Sequence, residues 1–208
     1  MHRNILLVGA DTLSTFLDYD DRSSCILFGD GAGAAVLSGR GRFEVLYSAV
    51  GSDGRHAALI MIAAGGSREP ASDVTVRDKR HFVRLDGGSI YRLAVRHMVQ
   101  AAEEAFAATG LSVADIDLVV PHQANVRIIE AVREAFGIER SRIVIDLEET
   151  GNTSAASIPV ALARREQRKP IEPGQHVMLL SFGSGITWGC QVLRANEAAS
   201  RDAPGPGA

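Results

Sequence analysis

The sequence predicts an α/β fold: a mainly parallel sheet with helices on both faces. Three observations point there. Short apolar runs of strand type alternate with helically patterned segments, most clearly from Gly87 onward. The longest helical pattern stops at Gly110, a residue suited to a helix C-terminus. Two Gly-rich stretches, "CILFGDGAGAAVL" (25–37) and "MLLSFGSGITWGCQVL" (178–193), also share one plan. Each has an apolar strand, Phe-Gly-x-Gly, small residues, and a second strand ending in Val-Leu, as two duplicated halves would give. On that plan residues 1–42 end a first half, 43–194 form a second half, and 195–208 are a disordered tail without apolar periodicity.

Taken in order, "NILLVG" (4–9) reads as a fully buried strand, because its apolar run is continuous and ends at Gly. Residues 23–38 read as two strands around a Gly-rich turn, and 43–50 as another strand. Residues 51–86 are less regular, with "GGSREPASD" as a loop. A helix runs from Ser89 to Gly110, a strand covers 115–120, and a helix covers 124–136. "RIVIDL" (142–147) reads as a strand and 153–167 as a helix, and strands 176–183 and 187–194 close the domain.

Bulk properties exclude several function classes. The chain has 208 residues and a net charge of −3, and no Lys/Arg cluster interleaves with aromatics, which argues against a nucleic-acid partner. No apolar run approaches the length of a membrane span, and "MHRNILLVGAD" lacks the pattern of a signal peptide. Cys25 and Cys190 cannot make a disulfide framework, so the cytoplasm is the expected compartment. No His, Cys, Asp and Glu fall at metal-ligand spacing, and His56, His81, His97 and His176 read as structural.

Two residues stand where ligands bind in open α/β sheets, at the carboxyl ends of strands. His122 follows "DLVVP" and Asn152 follows "IDLEETG", and each precedes a helix. Imidazole and carboxamide nitrogens both donate hydrogen bonds, and two donors aimed at one oxygen make an oxyanion hole. Each alone also fits an ordinary cap or turn residue. "GDGAG" (29–33) matches neither dinucleotide nor P-loop spacing, and close backbone packing explains it better. Cys25, in apolar "CILF", reads as an inert small hydrophobe.

Four motifs in order, "DRSSCILFGDGAGAAVL", "VVPHQANVRII", "GNTSAASIPVAL" and "FGSGITWG", resemble β-ketoacyl-acyl-carrier-protein synthase III, of the thiolase-like superfamily, from about Leu6 to Leu193. The resemblance implies a layered αβαβα fold of two duplicated halves and a homodimer in the full-length protein. It also implies a Cys-His-Asn triad for decarboxylative Claisen condensation of an acyl-CoA with malonyl-acyl carrier protein, at the start of fatty acid synthesis, with no cofactor. His122 in "PHQAN" and Asn152 in "GNTSAAS" match the family's histidine and asparagine. Arg127, and Arg92 on the preceding helix, match basic positions that meet the acyl carrier protein, and Asn125 matches a pocket-lining position beside the histidine.

Two departures matter. Ser184 stands in the middle of a family Phe-Gly-Gly-Gly, where the backbone N–H serving the acyl oxyanion survives but an added side chain narrows backbone freedom. The family's nucleophilic cysteine belongs to a segment upstream of the one matching Met1, and neither Cys25 nor Cys190 matches it. The expectation is therefore a synthase III-type acyltransferase whose chain, as given, is truncated and inactive in acyl transfer. The alternatives are a non-catalytic thiolase-like partner subunit, or a related acyltransferase with another acceptor.

Overall fold

The computed structural model describes residues 3–197. In chain order the elements are strand β1 (Asn4–Asp11), a single helical turn α1 (Arg22–Cys25), β2 (Gly31–Ser38), β3 (Phe43–Ser52), β4 (Ile60–Ile62), α2 (Asp73–Arg77) and β5 (Val83–Leu85). They continue as α3 (Gly87–Thr109), β6 (Leu118–Pro121), α4 (Val126–Phe136), α5 (Leu147–Thr150), α6 (Ser157–Arg168), β7 (His176–Gly183) and β8 (Thr187–Ala195). The expected tail lies outside the described residues from 198 onward, and Ala195 still belongs to β8.

The main sheet runs β3-β8-β7-β6. Only β6 and β7 pair in parallel, while β3–β8 and β7–β8 are antiparallel, so the expected mainly parallel sheet is corrected to a mainly antiparallel one. The cause is the tight turn after Gly183, which sends β8 straight back along β7 where a crossover helix would have kept the direction. Helices α3 and α4 pack on one face: Ala94, Met98, Ala102, Ile129 and Val132 meet Val119, Met178, Leu180 and Val192. Helix α6 covers the other face, with Ala161 against Leu118, Val120, Val177 and Leu193. Adjacent β7 residues therefore serve opposite cores, as strand pleating requires. Each fully buried Ile or Leu contributes about 1.5–3 kcal/mol.

Helix limits follow local chemistry. Asp86 caps α3 by accepting the Ser89 N–H at 3.1 Å, and Gly110 ends it with φ 72°, as read from the sequence. Asn125 caps α4 by accepting the Arg127 N–H at 2.9 Å, and Gly137 closes that helix in the left-handed region.

Four expectations are corrected. "CILF" is not a strand: Asp21 accepts the Ser23 N–H and caps a helical turn ending at Cys25, and only Phe28 makes an isolated bridge. The two Gly-rich stretches therefore do not share a hairpin plan; 178–193 is the β7–β8 hairpin, whereas β2 pairs with β1. "RIVIDL" makes a single parallel bridge, Ile143 with Val119, before the chain turns into α5. Finally, β1 is a strand but not a buried one: Ile5, Leu6, Leu7 and Val8 are all exposed, because its two-stranded sheet is covered only where its glycines meet the 153–159 segment.

Candidate active site

The site is built where β6, the turn after α5 and the β7–β8 turn converge. His122 directly follows β6, and its backbone N–H donates to the Leu180 carbonyl on β7 at 2.7 Å, fixing the residue at the sheet's carboxyl end. The next residue, Gln123, is buried with all its amide bonds made. Its Nε2 donates to the carbonyls of Pro121 at 2.7 Å and Val144 at 3.3 Å, and its Oε1 accepts the Asp146 N–H at 2.8 Å. Gln123 thus ties the exit of β6 to the segment leading into α5. Asp146 is itself held by Arg164 and Arg168 of α6.

Asn152 is placed from the other side. Its N–H donates to the Leu27 carbonyl at 2.9 Å, and its carbonyl accepts the Gly29 N–H at 3.0 Å, a parallel bridge centred on Phe28. Its side-chain Oδ1 accepts the Ser154 N–H at 2.9 Å, which leaves the carboxamide NH₂ as the free end. Ser154 takes a left-handed φ of 53° to make that bond, a local strain of the kind that gathers at functional sites. The glycines of the 29–33 stretch permit the approach. A Cβ on Gly31 would stand 2.9 Å from the Thr153 methyl, one on Gly33 2.7 Å from Pro159, and one on Gly29 would collide with the Thr150 carbonyl. "GDGAG" is therefore close-packing ground for the asparagine loop.

His122 and Asn152 line one cavity of about 430 Å³ together with Asn125 and Ser184. Its remaining wall is largely apolar, including Leu13, Leu27, Phe28, Ile60, Ile90 and Phe182. His122 also borders a second, more open cavity, against Ser157, Gly183 and Trp188. Burial pushes the His122 imidazolium pKa down to about 4, so the ring is neutral at pH 7. Its Nδ1 lies 2.5 Å from Ser157 Oγ, while Nε2 has no protein partner among the described residues and reaches open space. A neutral imidazole and a carboxamide NH₂ on residues that line one largely apolar cavity are suited to receiving developing negative charge on an oxygen.

The other candidates divide. Asn125 serves as the α4 cap and shows no hydrogen bond to His122 among the described residues. Ser184 is exposed in the β7–β8 turn, its carbonyl accepting from Thr187 Oγ1 at 3.3 Å. Arg92 and Arg127 do not line the cavity, although Gly87, Ile90 and Tyr91 of α3 and Asn125 and Ile128 at the start of α4 do. Both are exposed, Arg92 in the second turn of α3 and Arg127 in the first turn of α4. Cys190 is buried, its thiol pushed up to about 12 by burial and by Glu104, and Cys25 ends α1 outside the cavity wall. Sequence reasoning noted Gln123 at the strand–helix junction without giving it a role, and did not single out Ser154 and Ser157. The two serines stand inside "GNTSAAS", where a polar residue facing back from a helix start was the available signal. Among the described residues no group of three or more His, Cys, Asp or Glu could hold a metal, and no helix is long and apolar enough to cross a membrane.

Two family models match the chain: 3-oxoacyl-[acyl-carrier-protein] synthase III over residues 1–54, and the C-terminal part of the same synthase over 106–195. A β-ketoacyl-[acyl-carrier-protein] synthase III of Chlamydia caviae is 43% identical over 198 residues, covering 94% of this chain and 59% of that protein. Among solved structures, the synthase III of Thermus thermophilus is 38% identical with TM-score 0.83, covering 94% of this chain and 60% of its own. That of Pseudomonas aeruginosa is 36% identical with TM-score 0.83, covering 95% and 59%. The likeness carries the thiolase-like α/β fold, and the chain spans about 59% of the length of the curated relatives it matches.

Proposed function

This chain belongs to the 3-oxoacyl-[acyl-carrier-protein] synthase III family, and on that premise we propose that it carries the decarboxylating half of a condensing acyltransferase. In this reading malonyl-acyl carrier protein presents its thioester oxygen to His122 and Asn152. As carbon dioxide leaves, the electron pair of the broken C–C bond becomes an enolate, whose oxygen charge the two donors stabilise. The enolate carbon then attacks an acyl group delivered from an acyl-CoA through an enzyme thioester, starting a fatty acid chain. The observation that carries the reading is the pair of unshared donors, His122 Nε2 and the Asn152 carboxamide, on residues that line one apolar cavity. A neutral histidine supports it further, because an imidazole that must donate without giving up its proton works best uncharged.

Arg92 and Arg127 are proposed as the cationic contacts for an acidic carrier protein, near the starts of helices whose neighbouring residues line the cavity. Asn125 and Ser184 are proposed as walls for the substrate arm. Since neither thiol lines the cavity, we take the thioester-forming cysteine to be neither Cys25 nor Cys190. The test is carbon dioxide release from malonyl-acyl carrier protein by the protein in its longest natural form. His122→Ala and Asn152→Ala should each lose about 100- to 1,000-fold, the usual effect of removing one oxyanion donor, while acyl transfer to the enzyme remains measurable. Wild-type decarboxylation by both variants would overturn the assignment.

A further inference from the structure

We propose that Ser157 is a positioning residue that holds the proton of His122 on Nε2, the nitrogen open to the cavities, by donating its own hydroxyl proton to Nδ1. The inference deepens the proposed function and rests on its reading of His122 as a donor. Ser157 Oγ lies 2.5 Å from His122 Nδ1 and is buried at the first position of α6. The same oxygen accepts the backbone N–H of Gln123 at 3.3 Å. Among the described residues these are its two partners.

A hydroxyl has one proton to give. With the Gln123 N–H already directed at Oγ, the acceptor within reach of that proton is Nδ1. The opposite tautomer, with Nδ1–H donating to Oγ, would leave a buried O–H without an acceptor, a costly arrangement. It would also turn the open Nε2 into a lone pair facing the developing oxyanion. The hydrogen-bond partner of one ring nitrogen thus decides what the other can do. Burial keeps the ring from holding both protons near neutrality. Gln123 completes the device: its side chain locks the backbone that carries both His122 and the N–H set on Ser157.

The test is nitrogen NMR on protein labelled with ¹⁵N-histidine, with His122 assigned by its loss in His122→Gln. At neutral pH the His122 signals should report Nε2–H with an unprotonated Nδ1. Ser157→Ala should lower the ratio of Nε2–H to Nδ1–H about two- to tenfold, the worth of one hydrogen bond, and Ser157→Thr should restore it. An Nδ1–H tautomer in the unsubstituted protein overturns the proposal, and this arm needs no variant to fold. An unchanged ratio in Ser157→Ala overturns it too. Because tautomer is read without turnover, an Nε2–H ring in a protein that decarboxylates nothing would reject the proposed function and leave the Ser157 role standing.

Discussion

Asn152 is bridged in parallel to Phe28, with the Leu27 carbonyl and the Gly29 N–H holding the asparagine backbone on both sides. The bond pair joins two segments more than a hundred residues apart. The position of the candidate donor is thereby set by the Gly-rich stretch of the first sheet as well as by its own loop. Bringing backbone to backbone at that distance leaves no room for a side chain at Gly29.

Gly29→Ala should therefore act on the site. Its methyl would press on the Thr150 carbonyl and displace the 150–152 turn, an overpacking change that costs about 1–3 kcal/mol. Decarboxylation should fall with it, while Gly39→Ala, whose Cβ would meet open space, should leave both stability and rate unchanged. Thermal unfolding of the two variants, read beside carbon dioxide release, checks this. Equal behaviour of the pair would mean the Phe28 bridge does not position Asn152.

The sequence carried some of this and not the rest, for identifiable reasons. Gly110, whose left-handed φ is a local property, marked the end of α3, and the continuous apolar run Val177–Leu180 marked β7. His122 was legible because the β6-to-α4 junction is local as well, whereas Asn152, expected after a strand, follows α5. "CILF" was not, since four apolar residues fit strand or helix equally, and the Asp21 cap decided the matter. The direction of the main sheet depends on which distant strands pair, and the burial of Ile5–Val8 depends on what lies over them. The Ser157–His122 bond joins residues 35 positions apart and has no counterpart in local pattern.

The two cysteines should stay unmodified by acyl-CoA. Cys190 is buried with its thiol pushed up to about 12, so almost no thiolate is present near neutrality. Cys25 ends a helical turn away from the cavity of His122 and Asn152. Intact-mass spectrometry of the 208-residue chain after incubation with acetyl-coenzyme A should show no stoichiometric adduct. An acetyl group on either residue would restore a nucleophile that the proposed function denies to both.

Stability should decline as pH falls from about 6.5 toward 4. The folded pKa of His122 is depressed to about 4 from 6.5 by burial. Above 6.5 neither folded nor unfolded chain binds the proton, so this group is neutral to stability there. Between 6.5 and 4 the unfolded chain takes it up and the folded chain does not, which costs up to about 1.4 kcal/mol per pH unit for one proton. His97, buried and stacked on Trp188 with ring centroids 4.0 Å apart, has its pKa lowered by burial and then by Arg96, and adds the same sign. Urea midpoints across this range should fall, and His122→Gln should flatten the fall. A flat profile in the unsubstituted protein would contradict the burial of both rings.

The purified 208-residue chain should self-associate through its first sheet. Leu6 stands opposite Val36 in the β1–β2 register, each 67% exposed, and Val8 beside them is 63% exposed. Among the described residues this sheet has two strands, so the far edge of each strand offers unpaired N–H and C=O groups next to an apolar surface. Edges of that kind pair with other copies, and contiguous apolar patches drive aggregation in water. Size-exclusion chromatography should show species larger than a monomer and a broad thermal transition. Leu6→Lys combined with Val36→Glu, an opposite-charge pair at facing positions, should shift the chain toward monomer without touching the residues around His122. A monomer with a sharp cooperative transition in the unsubstituted chain would show instead that β1 and β2 are stable with their apolar face in water.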